Sequence, residues 1–206
     1  MTQDEGVPFH KLASTRGSYA YLVDGAEPVL VDTSLPGRAD AIIEELRGLD
    51  RRPAHIAITH YDVDHIGNMG ALAEHYGAAL WLPAADVPYI LGERPRPGIK
   101  RVIGALMRVA PPRSFRLLHS GDRVGSLEVV PSPGHTPGHV AFRGLGCLLV
   151  GDALRTTPGG ISPSPSLLSW DRIQEAASCR NLTDGFQGWI LPAHGEPLWW
   201  PMGGAR

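Results

Sequence analysis

The chain has 206 residues, 43% of them hydrophobic and 19% charged, enough apolar material for a substantial core and too little charge for an extended disordered chain. Nineteen Lys and Arg against twenty-one Asp and Glu leave a net charge of −2, which excludes a chain-wide positive field for nucleic acid or an anionic membrane. One domain over residues 1–206 is the expectation at this length.

Met1 to Lys11 shows no basic start leading into an apolar stretch, and nowhere do about 18 apolar residues run together, so a soluble cytoplasmic protein is expected. Ser18 to Val23 and Pro28 to Asp32 flank Asp24-Gly25-Ala26 and read as a hairpin. From Gly37 to Asp50, Ala39, Ile42, Ile43, Leu46 and Leu49 recur at helical steps between charged residues, which predicts an amphipathic helix. Ala54 to Thr59 reads as a buried strand, His65 to Tyr76 as a helix and Ala78 to Leu82 as a strand, the alternation of a layered α/β domain.

Residues 86–116 break that rhythm with five prolines and seven basic residues against Glu93, and predict a cap insertion around a short basic helix. In it Val102, Ile103, Leu106, Met107 and Val109 would pack on the body, while Arg94, Arg96, Lys100 and Arg101 are candidate contacts for an anionic substrate. Strands are expected near Phe115 to Leu118, Ser126 to Val130, Val140 to Arg143 and Gly146 to Val150, followed by a Gly/Pro/Ser loop at Pro158 to Ser166. Ser169 to Leu182 reads as a helix with Ser169 as a candidate N-cap, and Gly188 to Leu191 as the last strand. Cys147 and Cys179 read as small core residues, and Trp199 and Trp200 as caps of the core edge or anchors for a partner.

The chemistry concentrates in Thr59-His60-Tyr61-Asp62-Val63-Asp64-His65, where a buried strand gives way to a helix. Four metal-capable side chains within six residues would repel one another or lose hydration at a cost unless a cation compensated. His135 in Pro133-Gly134-His135-Thr136-Pro137-Gly138-His139, Asp152 after Val150-Gly151, and His194 in Pro192-Ala193-His194-Gly195 also follow apolar runs, in loops made tight by Gly or Pro. Loops at one edge of a sheet can bring such residues together.

With these motifs, from Val29-Leu30-Val31-Asp32-Thr33 to His194-Gly195, the chain resembles the metallo-β-lactamase fold hydrolases, whose H-x-H-x-D-H segment is followed in order by His, Asp and His. The resemblance implies an αββα sandwich, within the layered α/β and α+β classes, with a dinuclear metal site along one edge of its two sheets. It makes His60 and His135 ligands of a first metal, Asp64, His65 and His194 ligands of a second, and Asp152 the bridge. Asp62 stands where the family usually has His, and as a ligand it shifts the first site from zinc toward iron or manganese. His139 and Asp32 are expected to orient ligands, and His10, His55, His75 and His119 have no matching context.

The activity this implies is metal-dependent hydrolysis of an ester, lactone or thioester carbonyl by a hydroxide shared between two divalent ions, with Asp64 orienting the nucleophile. Twelve residues follow His194, which disfavours a thioesterase of the glyoxalase II kind with its added C-terminal helices. The expected partner is a small-molecule substrate, anionic where the basic segment contacts it, with no nucleic acid or membrane, and the expected state is a monomer or homodimer. Two alternatives stay open: an iron-dependent thiol or persulfide oxygenase, and a non-catalytic ligand-binding protein with a degenerate site.

Overall fold

The computed structural model describes residues 7–203, so most of the Met1 to Lys11 reading lies outside the described residues. One sheet runs in the order β1 (Phe9–Lys11), β2 (Tyr21–Val23), β3 (Val29–Val31), β4 (His55–Ala57), β5 (Ala79–Pro83), β6 (Arg116–Leu118). Its first three strands pair antiparallel, with Tyr21 opposite Val31 across the expected hairpin, and the rest pair parallel. The parallel pairs need crossovers. Helix α1 (Ala39–Gly48) supplies one, and the short α2 (Val63–Ile66) with α3 (Met69–Tyr76) supplies the next. The helix expected from His65 to Tyr76 is thus broken in two at Gly67-Asn68, where the Asn68 side chain reaches back to the Thr33 and Leu35 carbonyls.

The second sheet contains β7 (Arg123–Val124), β8 (Leu127–Pro131), β9 (Val140–Gly144), β10 (Cys147–Gly151), β13 (Gly188–Pro192) and β14 (Leu198–Trp200), with β10 and β13 the parallel pair. Helix α6 (Arg172–Thr183) makes that crossover. Strand alternation sorts the apolar residues into three layers. Leu22, Leu30 and Ile56 meet Ile42 and Leu46 of α1; Tyr21, Val31 and Ala57 meet Phe142, Leu149 and Leu191 between the sheets; Leu148, Val150 and Ile190 meet Leu182 of α6. Each full burial of such a side chain contributes about 1.5–3 kcal/mol. The result is an αββα sandwich.

Several local expectations change. Pro158 to Ser166 is not all loop: β11 (Arg155–Thr157) and β12 (Gly160–Ser162) form a hairpin turning at Pro158-Gly159. The N-cap of α6 is Asp171, whose carboxylate accepts from the Ile173 and Gln174 amides, while Ser169 donates instead to Glu175. Trp200 is buried on the β14 edge strand and Trp199 is half exposed. Between β5 and β6 the chain leaves the sheet to form α4 (Val87–Ile90) and α5 (Ile99–Leu106). Val102 and Leu106 of α5 face solvent rather than the body, because the inward face of this helix carries Lys100 and Ile103.

Candidate metal centre

The two sheets meet at one rim, where the Val140 amide donates to the Thr59 carbonyl at 3.0 Å. Just past β3, Asp32 takes a left-handed backbone conformation (φ 62°), strained for a residue with a Cβ, and is almost completely buried. Its carboxylate accepts the Thr59 amide at 2.9 Å, the Thr59 hydroxyl at 2.8 Å and His65 Nδ1 at 2.8 Å. In its neutral form His65 therefore keeps its proton on Nδ1, which leaves the Nε2 lone pair aimed into the site. The Thr59 hydroxyl, having donated to Asp32, accepts from His60 Nδ1 at 3.0 Å and frees His60 Nε2 in the same way. One buried carboxylate thus sets the orientation of two imidazoles.

The second sheet arranges its side by similar means. His139 accepts the Asp152 amide on Nε2 at 3.1 Å and donates from Nδ1 to Ser132 Oγ at 2.8 Å, so both ring nitrogens are spent on holding the Asp152 loop. Gly151 precedes it at φ 49°, where a Cβ would press into Thr59 and His139. Gly134, at φ 134°, lets the His135 loop lie directly on the backbone of Glu175 in α6.

These constraints gather the donors into two sets, His60, Asp62, His135 and Asp152 in one, Asp64, His65 and His194 in the other. The oxygens of Asp152 divide between them: Oδ1 is 3.6 Å from His65 Nε2 and 3.4 Å from His194 Nε2, while Oδ2 is 3.4 Å from His135 Nε2. Asp64 Oδ2 stands 3.7 Å from His194 Nε2 and 3.9 Å from His65 Nε2. A tetrahedral ion with bonds of about 2.1 Å needs donor separations of about 3.4 Å. Among the described residues, the buried atoms His60 Nε2, His65 Nε2 and Asp152 Oδ1 have no hydrogen-bond partner. Unpaired polar atoms are costly to bury, and cations seated on the two donor sets are the groups that would satisfy them, so the residues fit a metal.

Without an ion the electrostatics are divided. Burial, reinforced by the neighbouring His65, pushes His60 down to about 3. Burial works the same way on His65, but Asp32, Asp64 and Asp152 overcome it and lift His65 to about 10. Asp64 is raised by burial and by the other carboxylates. Asp62 resists burial and is held well below the usual carboxylate range by His135, His60 and Lys100. Crowded carboxylates and imidazoles pulled in opposite directions are the setting in which one cation relieves many conflicts.

Two supporting residues, Asp86 and Glu175, escape sequence reasoning, and a third, Lys100, takes a role other than the expected one. Asp86, fully buried, accepts from the Tyr61 amide at 3.0 Å, the Thr136 hydroxyl at 2.7 Å and the Gly138 amide at 2.7 Å, tying the His60 loop to the His135 loop. Burial raises it to about 6 even so. Glu175 Oε1 lies 3.6 Å from His135 Nδ1. Lys100, expected from the sequence as a contact for an anionic substrate, is instead buried, with Nζ 2.8 Å from Asp62 Oδ2 and 3.0 Å from His135 Nε2. The spacing Lys100, Ile103, Met107 on one helical face was the available signal for the cap residues that turn inward.

A cavity of about 380 Å³ opens onto the donors: Asp64, Asp152 and His194 line its polar part, and Leu35, Val63, Ile103, Met107 and Leu168 its apolar wall. Of the four candidate substrate contacts, Arg96 and Lys100 line this cavity, while Arg94 and Arg101 face a separate groove shared with Tyr89 and Arg108. His10 pairs with Asp24, His55 with Trp81 and His119 with Asp122, and His75 stacks on Tyr76, all apart from the two donor sets.

Comparison with known proteins places these features in context. The family model described as the metallo-beta-lactamase superfamily matches residues 13–194. An uncharacterized protein of Bacillus subtilis, YobT, is 30% identical over 197 residues, covering 86% of this chain and 83% of its own length. The hydroxyacylglutathione hydrolase of Aeromonas hydrophila is 32% identical over 123 residues, which are 58% of this chain. The match spans only 40% of that relative. Among solved structures, TTHA1623 in a di-iron-bound form superposes with a TM-score of 0.72 at 26% identity, covering 92% of this chain and 93% of that one.

Proposed function

The chain belongs to the metallo-beta-lactamase superfamily, and we propose that it acts there as a metal-dependent hydrolase that splits an ester, lactone or thioester bond of a small molecule. The observation that carries the reading is the division of Asp152, one oxygen toward His65 and His194 and the other toward His135, with buried lone pairs left unpartnered around it. Two adjacent cation seats sharing one carboxylate are what a dinuclear centre requires. Oxygen and imidazole donors accept zinc, iron or manganese, and the di-iron form of TTHA1623 supports iron.

Held by these donors, a divalent ion would supply an acidified water, available as hydroxide near neutral pH, and a positive charge to polarise a carbonyl oxygen. The chain's own groups do the rest. Asp64 and His194, both partly open to the cavity, sit where the attacking water must be oriented. Water adds to the acyl carbon, the C–O or C–S bond breaks, and the proton of that water ends on the departing alcohol or thiol. Leu35, Val63, Ile103 and Met107 offer an apolar bed for an acyl or alkyl portion and exclude bulk water, while Arg96 at the same cavity favours an anionic group on the substrate. The hydroxyacylglutathione hydrolase relatives support a thioester among the three bond types.

The test is a panel of aryl ester, lactone and acyl-thioester substrates assayed before and after chelation and metal readdition. Hydrolysis that vanishes on chelation and returns with metal is the expected result. Oxygen uptake with a thiol or persulfide in place of hydrolysis would identify the oxygenase, and metal retention without turnover a binding protein.

A further inference from the structure

The two donor sets are not equivalent. In the set of Asp64, His65 and His194 the imidazole nitrogen His65 Nε2 is buried without a partner among the described residues, and so are His60 Nε2 and Asp152 Oδ1 of the other set. Only in that set of His60, Asp62, His135 and Asp152 are two of the four donors, Asp62 and His135, already engaged by one charged group. Lys100 Nζ lies 2.8 Å from Asp62 Oδ2, 3.0 Å from His135 Nε2 and 3.3 Å from the His135 carbonyl oxygen. An ammonium has three protons, and here each finds an acceptor.

We propose that the Lys100 ammonium is the resident cation of the first seat, so that the resting chain carries a single divalent ion, on Asp64, His65, His194 and Asp152, beside a built-in organic charge. The geometry makes the two occupants exclusive. His135 Nε2 stands 3.0 Å from both Lys100 Nζ and Asp62 Oδ2, and a ring nitrogen that accepts from the one or donates to the other cannot also bind a metal. With Nε2 accepting, the His135 proton belongs on Nδ1, the side that Glu175 faces. Asp62 supplies the negative charge that makes a buried ammonium tolerable; with side chains only 6% and 14% exposed, neither partner could be left alone. Lys100 Nζ also lies over the ring of Tyr61, 5.2 Å from its centre, a second contact that favours a cation at this point. Loading the first seat with metal requires Lys100 to withdraw, and with it the α5 face that also carries Ile103 and Met107 over the cavity.

The proposal rests on the hydrolase reading only in assuming that the second seat takes a cation. Metal-depleted protein is titrated with cobalt(II), followed by calorimetry and by the visible absorption of the bound ion, in the unaltered chain and in Lys100→Met. The unaltered chain is expected to saturate at a single equivalent. Lys100→Met, checked for folding by circular dichroism, is expected to take up a second equivalent at cobalt concentrations at least about tenfold below any at which the unaltered chain binds one. Two tight equivalents in the unaltered chain would overturn the lysine proposal and leave the hydrolase reading standing, and that result needs no variant. A single equivalent in folded Lys100→Met would overturn it as well. No uptake by either chain would sink both readings.

Discussion

At the rim of the two sheets His60, His65 and the loops of His135 and Asp152 are held by further buried groups, whereas across the cavity the α5 segment leans on few. His65 and His60 are oriented through Asp32 and Thr59, the Asp152 loop through His139, and the His60 and His135 loops through Asp86. Helix α5 instead exposes Ile99, Val102 and Leu106 and sends Lys100 inward as its buried anchor. The difference separates two tasks. The rim fixes where an ion and a water can stand, with little freedom to adjust, and the cap decides what approaches them.

Substitutions at the rim test the first half of that comparison. Asp152→Ala removes the oxygen shared by the two sets and is expected to cost several kcal/mol of transition-state stabilisation, about 10³-fold in turnover, with a matching loss of metal in elemental analysis. Asp86→Ala strands three buried donors, so urea unfolding should show a loss of about 2–4 kcal/mol, even with metal present. Asp32→Asn keeps the size but loses the charge that fixes the His65 proton on Nδ1, and cobalt affinity should fall about 10–100-fold while the fold persists.

The cap should respond differently. Ile103→Ala enlarges the apolar wall without touching a donor, so KM for an acyl substrate should rise several-fold, roughly the worth of a methylene or two, with metal content unchanged. A fall in metal content instead would break the division between cap and rim. His75→Ala, on the outer helix α3, should leave both kinetics and metal content near those of the unaltered chain.

The rim was largely legible in the sequence because its information is local. Strands rich in Val, Ile and Leu end in Gly- or Pro-bounded loops, and His60 to His65, His135, Asp152 and His194 all sit at such ends, where they come together in one place. What was not legible depends on distance. Asp86 lies 25 residues from Tyr61 and 52 from Gly138, and no pattern around it points to either. Lys100 belongs to a basic, proline-rich stretch that reads as solvated; only the tertiary fold shows that one of its cations turns inward to Asp62 while Arg94 and Arg101 do not. The β11–β12 hairpin and β14 were missed because Pro158-Gly159 and Pro197 punctuate strands of only three residues each.

The donors come from both sheets: His60 to His65 follow β4 of the first, and His135, Asp152 and His194 follow strands of the second. An ion seated between them is therefore a cross-link, a rivet through two plates. A ligand present at a thousand times its dissociation constant adds about 4 kcal/mol to the folded state, a large share of what holds a domain of this size together. Metal starvation would then act on the lifetime of the protein as well as on its chemistry, with the starved chain parting first along this rim and becoming open to proteases.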